Sequence, residues 1–451
     1  MVPEHLRFGG GAADSTILPL MAVCLVIGVV LIVALPRQKA IAPFLLTFFI
    51  IPTGQVVVLG GVHFTILRIL TMVGLVKMAV TPAGSEEDKY PGGFNGIDRT
   101  VALWSILTLI TFCLQFREMA AWINSMGVFL ENLGSYLVIR FLIPDRETIR
   151  RTLKTLAVLC VFESIPMIME QFTRINIFGY FAGAVLYSTI REGKVRSAGT
   201  LGALTAGPLG GLWIPLFIWL WTEKKSRMAA LVGLAGALVM VITSNSSTSL
   251  MALNGAIVGL AFWPLRKRMR RVRQALVAAL VGLHLTMKAP VWALIARVDL
   301  TGSSSSYQRY SLVDMTIRHF RDWWLIGTPT YVNWGWDTFD LCNEFVAVAL
   351  TGGLLTLIVF ITIFSRSFGA IGTARKRVEG DRGQEWFLWC LGANLFATVV
   401  TYFGINTGII PLYVVIAFVS VGAFEARKMF EAKVEIPAEP DLASVSDLVS
   451  A

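Results

Sequence analysis

The chain has 451 residues, of which 55% are hydrophobic and 15% charged, with a formal net charge of +10. A soluble domain carries about a quarter charged residues, so composition excludes an ordinary soluble enzyme. The positive charge does not point to nucleic acid either, because the basic residues sit in clusters between long apolar runs, as in cytoplasmic membrane loops.

Runs of about 17–25 apolar residues, the length a membrane-crossing helix needs, recur along the chain. The first, Ser15 to Pro36, follows no short basic leader and reads as a retained helix rather than a cleaved signal. Candidate spans follow near 41–59, 62–80, 99–115, 119–141, 154–173, 204–222, 227–243, 247–265, 274–296, 344–365, 384–403 and 407–426. Only Gly60 and Gly61 separate the second from the third, so the pair is either a hairpin or one broken segment. Glu131 and Asn132 interrupt the run at 119–141. The sequence therefore predicts an all-α polytopic membrane protein of about 12–13 transmembrane helices, with residues 1–426 as one bundle. The tail at 427–451 turns acidic and prolyl, the composition of a disordered end. Cys24, Cys113, Cys160 and Cys390 lie in apolar runs and read as buried thiols. No CxxC or Cys/His spacing suggests a metal, and no cofactor is implied.

Four connections are basic: 140–154 (Arg140, Arg146, Arg150, Arg151, Lys154), 223–227, 266–273 (RKRMRRVR) and 366–382. Each is two spans from the next, so all four share a side, which the positive-inside rule makes cytoplasmic. Three polar stretches then fall together on the extracytoplasmic side: about 174–204, the turn 243–248, and a long loop between about 297 and 344. That loop holds Trp323, Trp324, Trp334 and Trp336. It is too long for a connection and too aromatic for disorder, so it reads as a structured cap.

Each stretch offers candidates. In the first, Arg196 stands among small residues and could grip a phosphate bidentately or snorkel to headgroups. In the second, TSNSSTS, Ser244, Ser246 and Ser247 could wall a sugar site or cap the next helix. In the cap, Arg309 precedes an amphipathic stretch, Tyr310 to Trp324. His319 could titrate near neutrality or be a packed residue. Trp323 and Trp324 could stack on sugars or rest at headgroup level.

Five segments, RSAGT at 196–200, TSNSS at 243–247, SYQRYSL at 306–312, WWLIGT at 323–328 and NEFVAVALTGGLL at 343–355, give the chain a pattern that resembles the bacterial O-antigen ligase and polymerase superfamily. The resemblance covers roughly 190–365. It implies a metal-independent glycosyltransferase of envelope or exopolysaccharide assembly in the bacterial cytoplasmic (inner) membrane. Such an enzyme takes glycan from a polyprenyl-diphosphate-linked oligosaccharide and passes it to a sugar hydroxyl on a glycan acceptor, with the active side extracytoplasmic. Membrane lipids and other polysaccharide assembly proteins are the implied partners, and nucleic acid is not. Arg196 and Arg309 match the family's pyrophosphate arginines. Tyr307, Trp323, Trp324 and Asn343 join the serines as substrate-binding candidates. The chain departs from ligases in having Cys342 where they have His and in lacking an Arg in the Ser/Thr turn. Asp340, Glu344 and His319 are then the candidates for a proton acceptor.

Two other readings compete. Glu163 and Glu170 lie in or near a span, where carboxylates are functional suspects, and a transporter or flippase of an envelope precursor would use them. No internal repeat of the transporter kind is visible. A non-catalytic component of a polysaccharide assembly machine is the third class.

Overall fold

The computed structural model describes residues 15–60, 62–82, 89–297, 305–335, 338, 340–405 and 408–435. Ser303, Ser304, Trp336 and the tail from 436 to 451 lie outside the described residues, whereas residues 427–435, expected to begin a disordered tail, continue the last helix.

The described chain is almost wholly helical, as the apolar runs predict. In order come α1 (Pro19–Ala34), α2 (Arg37–Ile50), the strands β1 (Val56–Leu59) and β2 (Val62–Thr65), α3 (Ile66–Val80) and α4 (Gly96–Phe116). Next are α5 (Met119–Phe129), a π-turn (Leu130–Gly134), α6 (Ser135–Leu142), α7 (Arg146–Thr173), and the strands β3 (Thr189–Arg191) and β4 (Lys194–Arg196). The rest is α8 (Ala206–Thr222), α9 (Arg227–Thr243), α10 (Ser247–Ala261), α11 (Met269–Thr286), α12 (Ser305–Arg318), α13 (Glu344–Arg377), α14 (Arg382–Tyr402) and α15 (Ile410–Glu435).

Every predicted span overlaps a helix, but the bounds and lengths of the helices differ. Five are long and apolar enough to cross a membrane by themselves, or six if α10 and the following turn-and-helix, bent by 66°, count as one. The multi-pass character stands on these, while α1 and α8 are apolar but shorter. The predicted span at 41–59 is the clearest difference. Its helix stops at Ile50, and Val56–Leu59 folds back on Val62–Thr65 as an antiparallel hairpin. β-Branched residues at 56–58 favour a pleated strand over a helix, and Gly60 turns with φ +58°. At 119–141 the helix accommodates Glu131 through the π-turn, where the carboxylate pairs with Arg68 at 2.9 Å and accepts from the Thr65 hydroxyl at 2.7 Å.

The last helix is the axis of the bundle. Its sequence, PLYVVIAFVSVGAF, has no polar face, and residues 412–421 are all buried. A helix apolar all round belongs inside a bundle. The other helices show apolar side chains outward, including Val23, Val26, Leu103, Ile106, Ile165 and Leu238, as a lipid-facing belt does.

The polar ends of the bundle separate as the parity of spans predicts. At one end Arg146 lies 3.7 Å and Arg150 2.9 Å from Glu223, and Arg266 pairs with Glu385 at 2.9 Å. The basic connections 140–154, 223–227, 266–273 and 366–382 therefore meet each other and the start of α14. Arg140 departs from its expected place as a loop charge. It is fully buried and holds Asp98 through two hydrogen bonds of 3.1 and 3.3 Å. Helix α7, 28 residues or about 42 Å long, runs from Arg146 at this end to the hairpin β3–β4 at the other.

Helix α13 is broken near its start. Gly353 has φ +78° and ψ −179°, and the segment after Trp323 fills the break. Leu354 N donates to Trp324 O at 2.8 Å, and Thr328 N donates to Leu350 O at 2.7 Å. Backbone of this kind survives at membrane depth where protein satisfies it. A Cβ on Gly353 would stand 2.6 Å from Leu325 O. Gly353→Ala should therefore destabilise the protein by about 1–3 kcal/mol from the backbone conformation alone, and more from the overlap. A thermal unfolding midpoint in detergent indistinguishable from that of the parent would contradict this account of the break.

Candidate functional site

The polar end is assembled on α7. This helix is charged in its first turns and apolar in its middle, and it carries Glu163, Glu170 and Gln171 in its second half, with the two carboxylates seven residues apart and so on one face. Glu170, fully buried, accepts hydrogen bonds from the backbone N–H of Ala198 and of Gly199, each 2.8 Å, and from the Ser188 hydroxyl at 2.8 Å. Glu163 accepts from Thr200 N at 3.0 Å and from the Thr200 hydroxyl. Gln171 donates to the carbonyls of Val195 (3.0 Å) and Thr243 (2.7 Å). These carboxylates, the motive for a transporter reading, are thus engaged by neighbouring backbone. Gly199 is required where it stands: φ is +56°, and a Cβ would lie 2.1 Å from Glu163 Oε2.

The same contacts join the first polar stretch to the second. Ser197 N donates to Thr243 O at 3.2 Å, and Asn245 Nδ2 donates to Val195 O at 2.7 Å. Asn245 adopts φ +44°, a left-handed conformation that Asn tolerates better than most residues. Helix α10 starts at Ser247 with Ser246 at its N-cap, yet the Ser246 side chain makes no capping bond. Ser244 pairs with the Ser249 hydroxyl at 2.7 Å. The hydroxyls of Ser247 and Thr248 instead accept from Arg309 Nη2 at 2.9 and 3.2 Å. The cap is thereby attached to the turn.

Arg309 is 7% exposed, and its Nε–H has no hydrogen-bond partner. Among the described residues no carboxylate pairs with it. Burial pulls its pKa below the ordinary arginine value, Cys342 works against that shift, and Arg191 adds to it. Arg191 also depresses Arg196, after burial, while Glu192 raises it. Arg191 therefore stands within electrostatic reach of both arginines.

Arg191 is the residue that the sequence reading passed over. The register of β3–β4 pairs Thr189 with Arg196 and Arg191 with Lys194 across a Glu192-Gly193 turn with φ +54° and +74°. A two-residue turn with both φ positive fixes hairpin register, and alternation puts Arg191, Lys194 and Arg196 on one face. The pattern R-E-G-K-V-R, read as a hairpin, contains that grouping.

The remaining candidates divide by position. Trp323 is buried, donates Nε1–H to Thr316 O at 2.7 Å, and packs with Leu312, Val346 and Leu350 as the small core of the cap. His319 stacks on Trp334 at 4.5 Å, with Nδ1 3.0 Å from Met315 O, so it is packed. Asn343 caps α13 by accepting from Val346 N at 3.2 Å. Tyr307, Trp324 and Asp340 are exposed. Glu344, in the first turn of α13, has a buried carboxylate oxygen, Oε2, with no hydrogen-bond partner.

No family model and no curated protein matches this chain. What it can do chemically rests on the arrangement itself. A desolvated guanidinium with an unused donor, next to a face of cationic side chains, is set up to hold an anion bearing several oxygens.

The grip of α7 on the 195–200 segment is testable. Glu170→Gln replaces an acceptor oxygen by an NH₂ facing backbone donors. Leaving buried donors unsatisfied costs about 1–3 kcal/mol each, so the variant should lose several degrees in its unfolding midpoint. It should also gain protease sensitivity between Ser188 and Thr200. Unchanged proteolysis there would mean the loop holds its shape without this carboxylate.

Proposed function

We propose that the protein is a membrane glycosyltransferase of envelope or exopolysaccharide assembly, with its polar end on the extracytoplasmic side of a bacterial cytoplasmic membrane. The donor is glycan on a polyprenyl diphosphate, and the acceptor is a sugar hydroxyl. The observation that carries this reading is Arg309: buried, oriented by Ser247 and Thr248, and carrying a donor with no partner. The likeness of RSAGT, SYQRYSL and WWLIGT to the O-antigen ligase and polymerase superfamily supports it, as does the clustering of basic connections at the opposite end.

In the reaction the bond between the anomeric carbon and the phosphate oxygen breaks, and the diphosphate leaves with the electron pair. The acceptor oxygen bonds to the anomeric carbon and gives its proton to a base. Negative charge accumulates on the leaving phosphates, and we assign its stabilisation to Arg309, with Arg196 and Arg191. Glu344 is the base we favour, because one carboxylate oxygen is unengaged, whereas His319 is packed against Trp334 and Asp340 is solvated.

Arg309→Lys keeps the charge but removes the fork that spans two phosphate oxygens. Transfer by purified protein from a lipid-linked oligosaccharide should fall on the order of 100-fold, as for loss of another preorganised donor. Glu344→Gln should fall comparably and Asp340→Asn little. Full activity in Arg309→Lys would remove this arginine as the phosphate clamp, and movement of substrate with no new glycosidic bond would make the protein a transporter.

A further inference from the structure

The cationic hairpin and the arginine of the cap belong to different parts of the chain, and one half-buried residue joins their supports. Asn245 Nδ2 donates to Val195 O at 2.7 Å and to Gln171 Oε1 at 3.3 Å, and Gln171 Nε2 donates to the same Val195 carbonyl at 3.0 Å. Val195 precedes Arg196 in β4 and pairs with Ile190 of β3, so this carbonyl is a point at which the hairpin is fastened. Two and three residues beyond Asn245 are Ser247 and Thr248, whose hydroxyls accept from Arg309 Nη2. The route from Arg196 to the Arg309 guanidinium therefore runs through one carbonyl, one side-chain amide and one hydroxyl.

The residue type at 245 matters twice. Its φ of +44° is one that most side chains avoid and that Asn, Asp and Gly tolerate. Of these three only Asn offers an N–H donor to Val195 O. The segment has other fastenings. Ser197 N donates to Thr243 O at 3.2 Å, and Gln171 Nε2 donates to Thr243 O and to the Ser197 hydroxyl, each at 2.7 Å. These bonds hold residues 197 and 243 together. The Asn245 amide does something narrower: it ties Val195, next to the cationic face, to the turn that orients Arg309.

Monophosphates and diphosphates place different demands on this arrangement. A single phosphate is held by whichever cation it meets. Two linked phosphates can engage Arg309 and the hairpin cations together, and the gain from joining two contacts exists only where their separation matches the ligand. Arg191 is within electrostatic reach of Arg309, which puts the hairpin's charge in range of an anion held by the cap.

We propose that Asn245 is a positioning residue that sets the separation between the hairpin cations and Arg309 and so selects a diphosphate over a monophosphate, a role that rests on reading Arg309, Arg196 and Arg191 as a diphosphate clamp. Asn245 acts through its grip on Val195 O and not by contact with the ligand.

The test measures binding by isothermal titration to the full-length protein in neutral detergent, with geranyl diphosphate and geranyl monophosphate as probes. The parent should bind the diphosphate tighter by about tenfold or more, the gain from two joined contacts. Asn245→Gly permits the left-handed backbone and removes the donor. It should lose most of that preference by weakening the diphosphate while leaving the monophosphate nearly unchanged. Asn245→Asp keeps the backbone and the size but has no N–H. Its charge should weaken both probes, and the preference should again be lost. The ratio of the two affinities is the readout, so a general loss of charge or stability does not imitate it. An Asn245→Gly protein that keeps the parent's preference would overturn the role of Asn245 and leave the clamp standing. A parallel loss for both probes in both variants would make Asn245 a structural residue only and overturn it too. A parent that binds the two probes equally would overturn the diphosphate clamp, and the role of Asn245 with it.

Discussion

The hydrogen bonds from the backbone of 198–200 to Glu163 and Glu170 are the constraint on which the polar end depends. A carboxylate buried in a bundle is costly unless its oxygens are satisfied, and here the donors are main-chain N–H groups that would otherwise lack partners. Both problems are solved by the same contacts. The result is a rigid segment from which the hairpin with Arg191 and Arg196 projects. Gln171 extends the grip to Thr243, so the Ser/Thr turn is located by the same helix. Without α7 as a common anchor, two stretches about fifty residues apart in sequence would have no fixed relation.

The cap is held differently. It has a small apolar core of its own, shared with the first turns of α13, and it enters the bundle backbone at the break beside Gly353. Trp324 O and Thr328 N make the hydrogen bonds that an unbroken helix would make internally. Arg309 then reaches Ser247 and Thr248 from a support fixed at its far side, so its guanidinium is oriented before any ligand arrives. Preorganisation of this kind is what electrostatic stabilisation of a leaving group requires.

Much of this was legible in the sequence. Apolar run length gave the helices, and the spacing of basic connections brought the three polar stretches to one end. Two kinds of feature were not legible. Glu163 and Glu170 read as membrane carboxylates because nothing in a linear pattern reveals that Ala198, Gly199 and Thr200 will face them. Arg140 read as a loop charge because its partner, Asp98, lies forty-two residues earlier, in another helix. Helix lengths misled too: Val56–Leu59 is apolar enough to extend a span but β-branched enough to leave it. Arg191 was recoverable, since period-two alternation about Glu192-Gly193 places it with Arg196.

Protein ion pairs account for many of the arginines at the basic end, whereas Arg309 is buried against hydroxyls alone. That contrast is the core of the account: ion pairs tie the basic connections together, and Arg309 keeps an unused donor. A cryo-EM map of the protein in nanodiscs, with a non-transferable polyprenyl-diphosphate sugar bound, tests it most directly. The account predicts diphosphate density within hydrogen-bond distance of the Arg309 guanidinium, on the side facing Arg191 and Arg196. Diphosphate bound elsewhere in the bundle, with Arg309 left on Ser247 and Thr248 alone, would contradict it.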